Sequence, residues 1–173
     1  MFTGIITATG TIREASDRGD LHAVIECPYD PAHIAIGASI ACSGVCLTVV
    51  ERGGEAGKAW FAVDISGETV SRTAQGQWIA GRQLNLEQAL KLGDELGGHI
   101  VTGHVDAVGR IALREEVGGS LHLAVTTPAE ISPYIAVKGS ITVDGVSLTV
   151  NAVDDHADGT CTFHLNIIPH TAE

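Results

Sequence analysis

Aromatic side chains are scarce in this 173-residue chain, at 4% of the whole, so a core has to be built chiefly from Val, Ile, Leu and Ala. No run of 18 or more apolar residues exists, which argues against a membrane-spanning helix. Blocks of Lys or Arg are missing too: 10 basic residues stand against 21 acidic ones, for a net charge of −11. Nucleic-acid phosphates demand a basic surface and stacked bases demand aromatics, so a pair of oligonucleotide-binding barrels is disfavoured on both counts. Solubility is the simpler reading of the charge. The four cysteines, Cys27, Cys42, Cys46 and Cys161, lack the spacing of a disulfide framework. There is no basic n-region, and Thr3, Gly4 and Thr7 interrupt the first apolar run, so a signal peptide is not expected; reduced thiols and a cytoplasmic location are.

Tempting motifs fail on their spacing. Gly53-Gly54-Glu55-Ala56-Gly57-Lys58-Ala59 has one residue too few for a phosphate loop and no Ser or Thr after the Lys, so it reads as a hairpin tip. His99 and His104 are five apart, without the intervening Glu of a zinc helix, and Cys42 and Cys46 have no matching pair downstream, so no metal site is expected.

What the chain does have is a second copy of itself. Thr3-Gly4 returns as Thr102-Gly103, Leu21-His22 as Leu121-His122, and Ser39-Ile40 as Ser140-Ile141. Gly44-Val45-Cys46-Leu47-Thr48-Val49 returns as Gly145-Val146-Ser147-Leu148-Thr149-Val150, and Phe61 and Thr69 as Phe163 and Thr171. A register that drifts so little predicts two small domains of one fold, related by a pseudo-twofold, with insertions confined to loops. Two similar sites suit two similar ligands. The boundary is expected near residue 97, giving domains over 1–97 and 98–173.

Each copy reads as β. Ser140 to Val150 alternates polar and apolar residues on both sides of Asp144-Gly145, the strongest short-range hairpin signal, and the first copy has Ser43-Gly44 at the same place. Further strands are expected over 2–12, 21–27, 60–65 and 83–86, and over 101–111, 121–126 and 160–167. Five or six short strands per half predict a small closed barrel, which removes exposed edges. Short helices are expected near 31–36 and 131–137, and a helical linker over 87–96, ended by Gly97-Gly98.

Equivalent positions carry different chemistry: Cys46 against Ser147, Ile5 against His104, Glu68 against His170. Cys46 reads either as a small hydrophobe on a strand or as a reactive thiol. His99 and His104 read as structural or as proton-transferring, and Asp144 as a turn residue or a member of a site.

The opening Met1-Phe2-Thr3-Gly4-Ile5-Ile6, the two hairpins, the stretch Gly97-Gly98-His99-Ile100-Val101-Thr102-Gly103-His104-Val105-Asp106 and Ile168-Pro169-His170-Thr171 together resemble the alpha-type riboflavin synthase family, over nearly the whole chain. The resemblance implies an all-β fold of two tandem six-stranded Greek-key barrels with short helices. It implies a transferase reaction without a cofactor: two molecules of 6,7-dimethyl-8-ribityllumazine dismutate by transfer of a four-carbon unit, giving riboflavin and 5-amino-6-(ribitylamino)uracil. Carried over by position, one substrate is expected against Gly4, Ile5, Ile6, Cys46, Leu47, Thr48, Asp64, Ile65, Ser66, Gly67, Glu68 and Thr69. The other is expected against Gly103, His104, Val105, Lys138, Ser147, Leu148, Thr149, Asn166, Ile167, Ile168, Pro169, His170 and Thr171. Cys46 is the first candidate for activating the acceptor, with Ser147 and His104 assisting proton transfer and His99, Asn85 and Asp144 in the same site.

Members of the family usually run past Pro-His-Thr into a final strand and a helix that gathers three chains, whereas this sequence stops at Glu173. The family is expected to be homotrimeric and this shorter chain a monomer or weak oligomer. Lumazine-binding carrier proteins resemble the same double barrel but tend to lose the reactive residues of one half; Cys46, Ser147, His99 and His104 are all present here, which favours an enzyme.

Overall fold

The computed structural model describes residues 1–172. In the first half, β1 (Ala8–Asp17), β2 (Leu21–Cys27), β3 (Ser39–Cys42), β4 (Val45–Glu55), β5 (Lys58–Ile65) and β6 (Gln83–Gln88) form a closed barrel in the order β1-β2-β5-β4-β3-β6. A short helix, α1 (Gly67–Arg72), follows β5. The second half repeats the plan with β7 (Arg110–Val117), β8 (Ser120–Thr127), β9 (Ser140–Val143), β10 (Val146–Thr149), β11 (Ala152–Asp155) and β12 (Cys161–Ile167), then α2 (Pro169–Ala172). Its ladders run β11-β12-β8-β7, with β9 and β10 as a separate hairpin. The first copy's order is thus retained, and β10 and β11 together stand for β4; among the described residues no strand occupies the place of β6.

Two compact units emerge: residues 1–105 with 142–146, and residues 106–141 with those from 147 onward. The core of the first is aliphatic, as the composition requires. Ile12, Ile25, Ile40, Val63, Ile65, Leu84 and Leu86 are buried around Phe61 and Trp78, and each large side chain so removed from water contributes about 1.5–3 kcal/mol. The bulge at Ile12/Glu14 in β1 returns at Ile111/Leu113 in β7. Such a bulge bends and twists the strand, as a small closed barrel needs. Both hairpin turns have two successive residues of positive φ, Ser43-Gly44 and Asp144-Gly145, the type I′ geometry that a two-residue connection favours.

Two expectations need correction, and one helix has no counterpart among them. No helix spans 87–96: β6 runs on through Gln88, where Glu87 pairs with Ala41, and residues 91–94 close a turn in which the Lys91 amide donates to the Asp94 carboxylate. Strands do not begin at Phe2 or Val101, because these two residues bridge each other, so β1 starts at Ala8 and β7 at Arg110. The helix α1 forms although Gly67, Thr69 and Val70 are poor helix formers. Ser66 caps it by accepting from the Thr69 amide, and Glu68 pairs with Arg72 one turn on.

Candidate functional site

The N-terminal loop is held by a carboxylate that the sequence did not mark. Glu87, 5% exposed, accepts on Oε1 from the Thr3 amide at 2.6 Å and the Thr3 hydroxyl at 2.8 Å, and on Oε2 from the Gly4 amide at 3.0 Å. Thr3 Oγ1 in turn accepts from the Ile5 amide. Three donors on one buried carboxylate fix Gly4 and Ile5 where the loop enters the barrel. Glu87→Gln exchanges one acceptor oxygen for an NH2 that faces these donors. The variant is expected to lose about 1–3 kcal/mol in urea unfolding, the cost of leaving a buried donor unpaired.

The same unit gathers Cys46, Gly103 and His104. The Cys46 amide donates to the Gly103 carbonyl at 2.8 Å, and Cys46 packs against Phe2, Ala41 and Val101. Gly103 has φ +82, and a Cβ there would lie 2.6 Å from Cys46 Cβ. The strand that carries the thiol and the segment that carries the histidine are therefore in backbone contact. His104 is exposed. His99 donates its amide to the Thr3 carbonyl and has Nε2 3.0 Å from Thr142 Oγ1. Asn85 ties two turns together: its backbone exchanges hydrogen bonds with Ser43, and its Nδ2 donates to the Asp144 carbonyl at 2.9 Å. The tips meet so closely that a Cβ on Gly44 or on Gly145 would lie 2.8 Å from the other's amide nitrogen.

Desolvation in that turn pushes the Asp144 carboxyl above its ordinary 3.8, with Arg82 pulling it partly back. A carboxyl raised by folding penalises the fold when ionised, so the penalty is present above the folded pKa and fades as pH falls toward 3.8. Asp144→Asn keeps the carbonyl that Asn85 uses and tolerates the positive φ. It is expected to flatten the pH dependence of stability just above pH 3.8, with a small gain at pH 7 in thermal melts. Burial also drives the Cys42 thiol far up and that of Cys27 up, which leaves both inert as nucleophiles.

The second group of first-copy residues sits at the far end of β5. Thr48 and Asp64 lie one step beyond the Val49–Val63 pair. Two of the charges there are already engaged: Asp64 Oδ1 is 2.7 Å from Nδ1 of buried His22, and Glu68 holds Arg72. Leu47 and Ile65 are buried, Ser66 is spent on the helix cap, and Ile6 and Thr69 are half-buried. Gly103, His104 and Val105, expected with the second copy, fall in the first unit, whereas Lys138, Ser147, Leu148, Thr149 and 166–171 fall in the second. Within that second unit Lys138 has φ +65 and donates its amide to the Val150 carbonyl. Asn166 and Ile167 pair with His122 and Leu121, and Ile168, Pro169, His170 and Thr171 are exposed as β12 passes into α2.

Two surface clefts of about 530 and 370 Å³ lie along β1, one lined by Thr11, Gly81, Arg82 and Gln83 and the other reaching Trp60 and Lys58. No predicted site residue lines either, so the candidate site is the open surface where the N-terminal loop, Cys46 and His104 converge. Among the described residues no three His, Cys, Asp or Glu side chains are grouped to hold a metal ion, and no helix is long and apolar enough to cross a membrane.

Comparison with known proteins bears on this geometry. The model of the lumazine binding domain family matches twice, over residues 3–89 and 102–173. The chain is 45% identical to riboflavin synthase of Brucella abortus (strain 2308), a match covering 100% of this chain and 84% of the relative. It is 43% identical to riboflavin synthase of Photobacterium phosphoreum, over 99% of this chain and 75% of the relative. Among solved structures, LumP complexed with 6,7-dimethyl-8-(1'-D-ribityl) lumazine superposes with a TM-score of 0.79 at 20% identity, covering 99% of this chain and 89% of that one. At that identity the likeness bears on the fold, and it is a double barrel.

Proposed function

This chain belongs to the riboflavin synthase family and carries the lumazine-binding domain twice, and from that premise we propose how its residues share the family's reaction. The protein is a riboflavin synthase, a transferase that moves a four-carbon unit between two molecules of 6,7-dimethyl-8-ribityllumazine to give riboflavin and 5-amino-6-(ribitylamino)uracil. The lumazine's position-7 methyl is acidic because its carbanion delocalises into the ring. Proton shuttling, activation of the acceptor ring and positioning of two identical substrates are the tasks left to the protein.

The observation that carries the assignment of roles is the 2.8 Å hydrogen bond from the Cys46 amide to the Gly103 carbonyl, which sets a half-exposed thiol beside the segment that bears His104. Cys46 activates the acceptor lumazine as nucleophile or polariser. His104, whose ring is exposed and makes no hydrogen bond among the described residues, carries protons to and from a substrate, and Ser147 assists at the second substrate. Gly4 and Ile5, fixed by Glu87, offer backbone groups to the pyrimidine edge. Thr48 supplies a hydroxyl for the ribityl chain; Asp64 and Glu68 border that chain while remaining paired with His22 and Arg72. A homotrimer for the full-length family and a cytoplasmic location complete the proposal.

Mixing the protein with 6,7-dimethyl-8-ribityllumazine and following riboflavin absorbance tests the reading. Turnover is the expected result. A spectral shift of the lumazine without product describes a carrier and overturns the proposal, as does the absence of any change.

A further inference from the structure

The outer face of the second unit's sheet carries a row of four side chains, one from each strand, in the order in which the strands lie: Glu115 on β7, His122 on β8, His164 on β12 and Asp154 on β11. They form one chain of hydrogen bonds. Glu115 Oε1 lies 2.9 Å from His122 Nδ1, His122 Nε2 lies 3.0 Å from His164 Nδ1, and His164 Nε2 lies 2.8 Å from Asp154 Oδ2. The rings are stacked with centroids 5.2 Å apart and planes 29° apart.

Each ring has one nitrogen on a carboxylate, His122 Nδ1 on Glu115 and His164 Nε2 on Asp154, which leaves His122 Nε2 and His164 Nδ1 facing each other. A carboxylate on the far nitrogen is the arrangement that fixes the tautomer of a metal-ligating histidine and raises its basicity.

The first copy does not build this row. His22, the counterpart of His122, spends Nδ1 on Asp64, and Ala62 stands where His164 stands in the repeat. Asn166, in place of Asp64, is neutral and pairs opposite His122, so the His122 ring turns to His164 instead.

We propose that the second unit holds a divalent transition-metal ion, of the Zn²⁺, Ni²⁺ or Cu²⁺ class that favours imidazole, on His122 Nε2 and His164 Nδ1. Glu115 and Asp154 orient the two rings, and water completes the shell. On uptake the lone pairs of both nitrogens pass to the ion, any proton held between them leaves to solvent, and no other bond or oxidation state changes. For nitrogens about 2.0–2.1 Å from Zn²⁺, a tetrahedral angle needs a separation of about 3.3 Å, so a small spreading of the rings suffices. The ion then staples four strands through one row of contacts.

The test is Zn²⁺ titration calorimetry of the whole chain, with histidine-ring ¹⁵N spectra. One ion per chain is expected, with ring shifts concentrated at His122 Nε2 and His164 Nδ1. Binding should weaken at least tenfold in His122→Gln and in His164→Gln, and about 10–100-fold in Glu115→Gln. His156→Gln, whose ring contacts Thr162, should bind as the wild type does. Absence of uptake, shifts confined to other histidines, or unaltered affinity in both His122→Gln and His164→Gln would overturn the proposal. The spectra read the wild-type protein, so the test survives a variant that fails to fold.

Discussion

Gly103→Ala is expected to destabilise the first unit by about 3 kcal/mol. An L side chain in the left-handed region costs about 1–2 kcal/mol, and overpacking a filled site costs about 1–3 kcal/mol more. Both apply, because Gly103 has φ +82 and the new Cβ would meet Cys46 Cβ at 2.6 Å, Cys46 N at 2.9 Å and Phe2 Cε2 at 3.0 Å. Two of the three obstacles are rigid, since one is backbone and one is a Cβ. Relief has to come from moving the 102–104 segment away from β4, which lengthens the hydrogen bond between Cys46 and Gly103 and shifts His104. Urea unfolding of Gly103→Ala is the measurement, with Gly67→Ala as control. A Cβ on Gly67 meets nothing within 4 Å and sits in the first turn of α1, so no loss is expected there. Equal stability of Gly103→Ala and the parent would contradict the packing described for this position.

Cys46→Ala is expected to lower kcat by about 10²-fold or more, the contribution typical of a well-placed proton-transferring or polarising group, while substrate binding and folding persist. The fold should tolerate the change because Cys46 is only half-buried and its amide, which makes the contact to Gly103, is kept. The split between kcat and KM separates chemistry from binding: loss confined to kcat fits a thiol acting on the acceptor, whereas a rise in KM alone fits a packing surface for the ring. Cys42→Ala supplies the contrast. That thiol is fully buried, with its ionisation strongly suppressed, so turnover should be kept as far as the small cavity allows. Full kcat in Cys46→Ala would remove the thiol from the mechanism.

The repeat made much of this architecture legible. Matching Thr3-Gly4 to Thr102-Gly103 and Ser43-Gly44 to Asp144-Gly145 pointed at the turns and loops that the fold brings together, because those positions need backbone conformations few residues supply. Contacts set by register were not legible. Glu87 lies 84 residues from Thr3, in a segment whose Glu-Gln-Ala-Leu-Lys-Leu pattern has helix propensity; pairing with Ala41 in the barrel outweighed that propensity and aimed the carboxylate at the loop. Asp64 and Glu68 read as residues against the first substrate, yet His22 and Arg72 hold them: His22 lies 42 residues from Asp64, and Arg72 reaches Glu68 only because residues 67–72 form a helix. The row from Glu115 to Asp154 depends on four strands in a particular order, which no single-segment pattern encodes.

The touching tips of Gly44 and Gly145 bear on how a doubled gene can drift. A methyl group on either turn would press on the main chain of the other, so the two loci are not free to vary alone, whatever happens to the chemistry a few residues away. Cys46 and Ser147 show that the copies differ two steps downstream, and Ser43 against Asp144 that they differ one step upstream, so the shared limit falls on the two glycines alone.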